Sequence, residues 1–167
     1  KLRTIGNIPD AIGTSVVLAD IRLALGHLHE AINTLEQLLQ FVMDQGEPIP
    51  LDAADLHREL SKLHLEQGNL EAAAQHLQRS KELGEKAELP VLRYRLCIAQ
   101  ARFNETQGDL DGALALLDEA ERLYIRTPLP NLRPISALKA RIWVAQGRLI
   151  QAQGWVREQG LSIDNDL

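Results

Sequence analysis

The chain has 167 residues, with 45% apolar and 25% charged side chains and only 4% aromatics. Leu and Ala carry most of the apolar mass, which favours helix and argues against a β-sandwich or barrel. The formal charge is −5, the wrong sign for a dedicated nucleic-acid-binding domain, and the composition excludes disorder and collagen-like repeats.

Four glycines, Gly26, Gly68, Gly108 and Gly147, stand 42, 40 and 39 residues apart. Aligned on them, the chain falls into rows. Two residues on come Leu28, Leu70, Leu110 and Leu149. Five on come Ala31, Ala73, Ala113 and Ala152, and nine on Leu35, Leu77, Leu117 and Val156. Seven before each glycine sit the small residues Ala19, Ser61, Ala101 and Ala140. Five before sit the apolar residues Ile21, Leu63, Phe103 and Ile142. Pro9, Pro50, Pro90 and Pro130 keep the same period. A repeat near 40 residues means a solenoid of helical hairpins.

Each unit reads as helix A, a glycine turn and helix B. Unit one spans 11–45, with helices 11–26 and 28–45. Unit two spans 51–84, with helices 51–67 and 70–84. Unit three spans 91–125, with helices 91–107 and 110–125. Unit four spans 132–159, with helices 132–146 and 149–159. The glycine ends helix A where an open or left-handed backbone is needed. Asn69 and Asp109 suit the N-cap of helix B, and the prolines separate one unit from the next. The small rows at −7 and +5 belong where the two helices cross closely. The expected architecture is an all-α, right-handed superhelix of about four hairpins. Residues 1–167 form a single helical-repeat domain, read as a fragment of a longer protein, with the tail 161–167 leading toward a further unit.

Helices A line the inner surface of such an array. Away from their apolar side, the rows at −13, −10, −6 and −3 fall together. They bring up Arg58, Lys62, Arg95, Arg102 and Arg141 beside Asp20, Asp55 and apolar members such as Val16, Leu23 and Ile98. An apolar floor with several cations suits an anionic or amphipathic ligand, so these five cations are the candidate binding residues. The competing reading is that they are solvated charges on a helix surface. Trp143 is the expected exposed apolar residue of unit four, and such a surface would favour self-association.

No catalytic, cofactor or metal site is expected. His57 and His64 share one side of a helix but lack an HExxH, a CxxC or a calcium loop. Gly84-Glu85-Lys86 is not a phosphate loop, and no nucleophile elbow is present. Cys97 is alone, reads as a packing residue and fits a reducing compartment. No run approaches a membrane span and no signal-type start is seen.

The rows resemble the tetratricopeptide pattern, although its large aromatics are replaced by Ser15, His57, Cys97 and Ser136 and by Arg22, His64, Asn104 and Trp143, and the units exceed the usual length of about 34 residues. A closer resemblance is to the helical-repeat sensor region of MalT-like, ATP-dependent LuxR-type bacterial transcription regulators. It is carried by Gln107 to Glu121 (QGDLDGALALLDEAE), by Pro128 to Pro134 (PLPNLRP) with Ala137 to Trp143 (ALKARIW), and by Trp155 to Ser162 (WVREQGLS). The resemblance implies a nucleotide-binding switch before this region and a helix-turn-helix after it, with the repeats taking up an inducer and helping to control self-association. The expected function is thus a non-enzymatic ligand-sensing or protein-interaction domain of a cytoplasmic transcription regulator, without a cofactor. A peptide, protein or small effector would lie on the inner face, and the chain would touch neither nucleic acid nor membrane. The alternative is a tetratricopeptide-like adaptor unrelated to transcription.

Overall fold

The computed structural model describes residues 8–44, 50–87, 90–123 and 134–160. They form eight helices: α1 (Ile8–Ala24), α2 (Leu28–Asp44), α3 (Pro50–Gln67), α4 (Leu70–Ala87), α5 (Pro90–Thr106), α6 (Leu110–Arg122), α7 (Ile135–Ala145) and α8 (Leu149–Glu158). Odd helices are helices A and even ones helices B, paired as hairpins and stacked into an all-α superhelical repeat. The expected start of α7 at 132, Pro130 and the tail 161–167 lie outside the described residues.

The glycine turn is built alike in all four units. Gly26, Gly68, Gly108 and Gly147 have φ of 81, 79, 84 and 73°, a left-handed backbone that side chains resist. The residue after each glycine donates its N–H to the carbonyl five residues back: His27 to Arg22 at 2.8 Å, Asn69 to His64 at 2.9 Å, Asp109 to Asn104 at 2.9 Å and Arg148 to Trp143 at 2.8 Å. This bond, with the i→i−3 bond from the glycine N–H, satisfies carbonyls that the end of helix A leaves open. Helix B then starts at once. The Asp109 carboxylate accepts from the Gly112 N–H at 3.0 Å, and the Asn69 side chain accepts from the Ala72 N–H at 3.1 Å.

The small rows meet where they were expected. Ala31, Ala73 and Ala113 are fully buried, and Ala19, Ser61 and Ala101 nearly so. Ser61 Oγ donates to the Ala73 carbonyl at 2.8 Å, which puts the −7 residue of α3 directly on the +5 residue of α4. Around these crossings Leu35, Leu56, Leu60, Leu63, Leu117 and Ile142 form the fully buried core.

The row five before the glycine shows how units stack. Leu63, Phe103 and Ile142 are 1%, 8% and 1% exposed, each covered by the unit before it, whereas Ile21 of unit one is 52% exposed. Helices A of neighbouring units also touch, α1 on α3 and α3 on α5, while no comparable contact joins successive helices B among the described residues. The A side is therefore the tighter, inner side of the stack. At the other end, the exposed apolar residues of unit four are Val144, Leu149 and Ile150, the last at 84%. Trp143 is half-buried instead. It lies one position from Val144 along α7, a turn of roughly 100° that carries it toward the hairpin.

Ala113→Leu should overpack the α5–α6 crossing and cost about 1–3 kcal/mol. A thermal midpoint equal to the parent's would contradict the small-on-small packing of that row.

Candidate functional site

The five cations singled out by the sequence all lie on helices A, and each meets a carboxylate. Lys62 bridges to Asp20 on α1, and its Nζ stands 2.7 Å from Glu59 Oε2. The other Glu59 oxygen is 2.6 Å from Arg58 Nη1. Arg58 Nε donates to Asp55 Oδ1 at 3.2 Å, and the second Asp55 oxygen accepts from Arg95 on α5. The result is one unbroken line of alternating charge, Asp20–Lys62–Glu59–Arg58–Asp55–Arg95, running across α1, α3 and α5. Two separate pairs continue it: Arg102 with Glu66 at 2.8 Å, and Arg141 with Glu105 at 2.5 Å. In every pair that crosses units, the carboxylate belongs to the earlier unit and the cation to the later one.

Burial sets the weight of these contacts. Glu59 is buried; burial works to raise its pKa, but Arg58 and Lys62 override it and hold the carboxyl below its usual range. Burial likewise works to lower the pKa of Arg58, and Glu59 and Asp55 more than reverse it. Removing one member would strand a buried charge, which is costly. The Arg102 and Arg141 pairs are more open to solvent and belong to the class worth roughly 0–1 kcal/mol each. Five cations against five carboxylates leave these contacts balanced; four of the cations reach a carboxylate on the preceding helix A, and Arg58 is held within α3.

The sequence rows found the cations but not most of their partners. Asp20 and Asp55 stood in the same rows as the cations. Glu66 and Glu105 sit two and three residues before their glycines, and the signal that finds them is the spacing of 36 residues to Arg102 and to Arg141. That spacing is one repeat less about one helical turn, the offset of a side chain reaching back to the preceding unit.

The histidines form a second group. His57 on α3 and His76 on α4 share a hydrogen bond between their Nδ1 atoms at 2.9 Å, so one ring donates and the other accepts. His64 stacks on His76 with centroids 5.3 Å apart. Burial, then the charges of His76 and Arg79, push His57 down to about 4, and burial followed by His64 lowers His76. Both rings are neutral near pH 7 and act as inter-helix packing. The sequence pairing of His57 with His64 missed His76, which lies on the partner helix. Among the described residues no three His, Cys, Asp or Glu side chains are arranged to hold a metal ion, and no helix is long and apolar enough to cross a membrane. Cys97 is buried against the unit-three core, and burial leads the rise of its thiol pKa.

A family model described as the MalT-like TPR region, TPR denoting the tetratricopeptide repeat, matches residues 1–166. The chain belongs to that family. No curated protein matches. Among solved structures, the nearly identical TPR-like repeats of a putative kinesin light chain from Podosopora anserina share 19% identity at a TM-score of 0.69, covering 90% of this chain and 74% of that one. A single-substitution form of the same repeats gives a TM-score of 0.67 at 19% identity, covering 90% and 73%. Aspartyl phosphate phosphatase F from Bacillus subtilis shares 16% identity at a TM-score of 0.67 and covers 91% of this chain and 39% of that one. At these identities the structures establish the fold. MalT-like TPR regions are helical repeats of the sensing and protein-interaction type, and folds of this kind are generally non-catalytic scaffolds.

Arg102→Glu should lower stability by about 0.5–1 kcal/mol by facing Glu66 with a like charge, and adding Glu66→Arg should recover most of the loss. Additive losses in a thermal double-mutant cycle would show that the pair does not join the units.

A pH dependence follows from His57. The ring is neutral in the fold down to about 4 but has the ordinary 6.5 when unfolded, so the unfolded chain binds more protons in that window. Stability from this group is full above pH 6.5 and falls as pH drops toward 4. Asp52, whose carboxyl is pushed up by burial and then by Asp55, acts in the opposite sense. Comparison of the parent with His57→Gln isolates the histidine: the parent should lose more stability than the variant between pH 6.5 and 4. Parallel pH profiles would contradict the neutral His57–His76 pair.

Proposed function

We propose that this chain is the effector-sensing and partner-docking region of a cytoplasmic bacterial transcription regulator of the MalT-like, LuxR type. The observation that carries the reading is the family match across residues 1–166. The inner face adds a physical route. Of its five cations, Lys62, Arg95, Arg102 and Arg141 hold carboxylates of neighbouring helices A and Arg58 holds two on its own helix, so a peptide, protein or small effector bearing its own carboxylates would compete for the same cations. Occupancy of Arg102 and Arg141, whose pairs stand apart from the linked charges of Asp20 to Arg95, would release Glu66 and Glu105 and favour a different stacking of units two to four. That bias would pass to the rest of the regulator as a population shift. The region itself would perform no catalysis and would contact neither DNA nor membrane.

Self-association belongs to the same reading. Ile21 and Leu25 at one end and Leu149 and Ile150 at the other are exposed apolar residues, placed where units of this chain otherwise stack on one another. A second copy stacked end to end would cover both sets.

The coding sequence on either side of the chain tests the regulator reading. A nucleotide-binding domain ahead of it and a helix-turn-helix behind it are the expected result. Flanking modules of another kind would overturn the reading in favour of a tetratricopeptide-like adaptor.

A further inference from the structure

Helix α4 carries a glycine in its last turns, Gly84, with an ordinary helical backbone. Glycine inside a helix costs roughly 0.5–1 kcal/mol relative to alanine, so its presence calls for a packing reason. In the repeat frame Gly84 lies sixteen residues after its turn glycine. Unit one has Val42 in that row, buried at 3% exposure, and unit three has Tyr124. Of these three units only unit two has a glycine in that row.

The space left open is a cavity of about 700 Å³ between units two and three, with walls from α3, α4, α5 and α6. Gly84 and Leu92 line it together, and a Cβ added at Gly84 would stand 3.7 Å from Leu92 Cβ. Leu96, Leu116, Leu123 and Cys97 continue the apolar wall. Two ion pairs, both reaching out from α5, flank it: Arg95 with Asp55 on α3, and Arg93 with Glu119 on α6. The lining holds four cations, Arg58, Lys81, Arg93 and Arg95, against three carboxylates, Asp55, Glu85 and Glu119. This is a local excess of positive charge on a chain whose net charge is −5. Arg58 is committed to Asp55 and Glu59. Lys81 stands 3.9 Å from its carboxylate, and the Arg93 side chain is 68% exposed, so these two have donors to offer.

We propose that this cavity is a small-molecule site for an amphipathic carboxylate, whose apolar body fills the room left by Gly84 and whose carboxylate is held by Lys81 and Arg93 at the rim. The volume falls in the range of small-ligand sites, and an apolar interior with a few polar groups is their usual composition. Charge-assisted hydrogen bonds from ammonium and guanidinium groups favour the acid over a neutral molecule of the same length. The site rests on the cavity and its rim and does not depend on the regulator reading; a chain flanked by other modules would keep it.

Decanoate is the probe, with decanol as the neutral control, both below their aggregation limits. Calorimetry should show one decanoate bound per chain, and decanol about tenfold weaker or worse. Cys97, the sole cysteine, supplies an internal reporter: its alkylation by iodoacetamide should slow as decanoate saturates the site. Gly84→Leu should abolish binding with helix content and thermal midpoint retained. If that variant loses its helix signal, Leu123→Trp, which fills the cavity from the residue that caps α6, takes its place. Lys81→Glu with Arg93→Glu should weaken decanoate about tenfold and decanol little, while Arg157→Glu on remote α8 leaves both unchanged. Absence of saturable binding, equal affinity for decanol, or undiminished binding by a folded cavity-filling variant would overturn the proposal.

Discussion

Everything in this fold hangs on a left-handed glycine followed immediately by a second helix. The positive φ at Gly26, Gly68, Gly108 and Gly147 turns the chain so sharply that helices A and B must cross within two turns of it. They can do so only because small residues occupy both sides of the crossing, as the Ser61–Ala73 hydrogen bond shows directly. The crossing fixes which side of each hairpin is apolar, and the row of Leu63, Phe103 and Ile142 then dictates how one hairpin lies on the next. The inner face is a consequence of this geometry: helices A approach one another across units, and charges on them come within reach.

Against that regular frame, two departures carry the functional argument. One is electrostatic. Lys62, Arg95, Arg102 and Arg141 each reach back to a carboxylate of the preceding unit, and in the proposed function these are the contacts that another charged molecule would replace. Hydrophobic burial between units is the larger contribution to stability, and in the proposed function the ion pairs would bias the angle between units. The other departure is an omission. Gly84 has no side chain in the row where unit one buries Val42, and a cavity lies at the junction of units two and three.

The repeat rows made the fold legible because packing imposes them: a glycine, a small residue or a leucine at a fixed offset has one steric reason to be there. Helix A and helix B could be placed from these rows, with α1 beginning earlier and α4 ending later than expected because helix ends depend on local caps rather than on the core. The candidate site was half legible. Lys62, Arg102 and Arg141 share a row and stand out. Glu66 and Glu105 do not share one, since a salt bridge needs only side-chain reach and tolerates a full turn of offset. His76 was hidden for the same reason: its partners are on another helix at no repeated spacing. Trp143 was mistaken for the exposed residue of unit four because a row gives an angular position and says nothing of what the next helix covers.

The central claim is that inner-face ion pairs set how the units lie on one another. The most direct measurement is the distance between spin labels at Thr14→Cys on α1 and Ala145→Cys on α7, in a Cys97→Ser background. It would be made in the parent, in Arg102→Glu with Arg141→Glu, and in the same double variant with Glu66→Arg and Glu105→Arg added. The account predicts a broadened and shifted distance distribution in the double variant and the parental distribution in the fourfold variant. Identical distributions in all three proteins would contradict it.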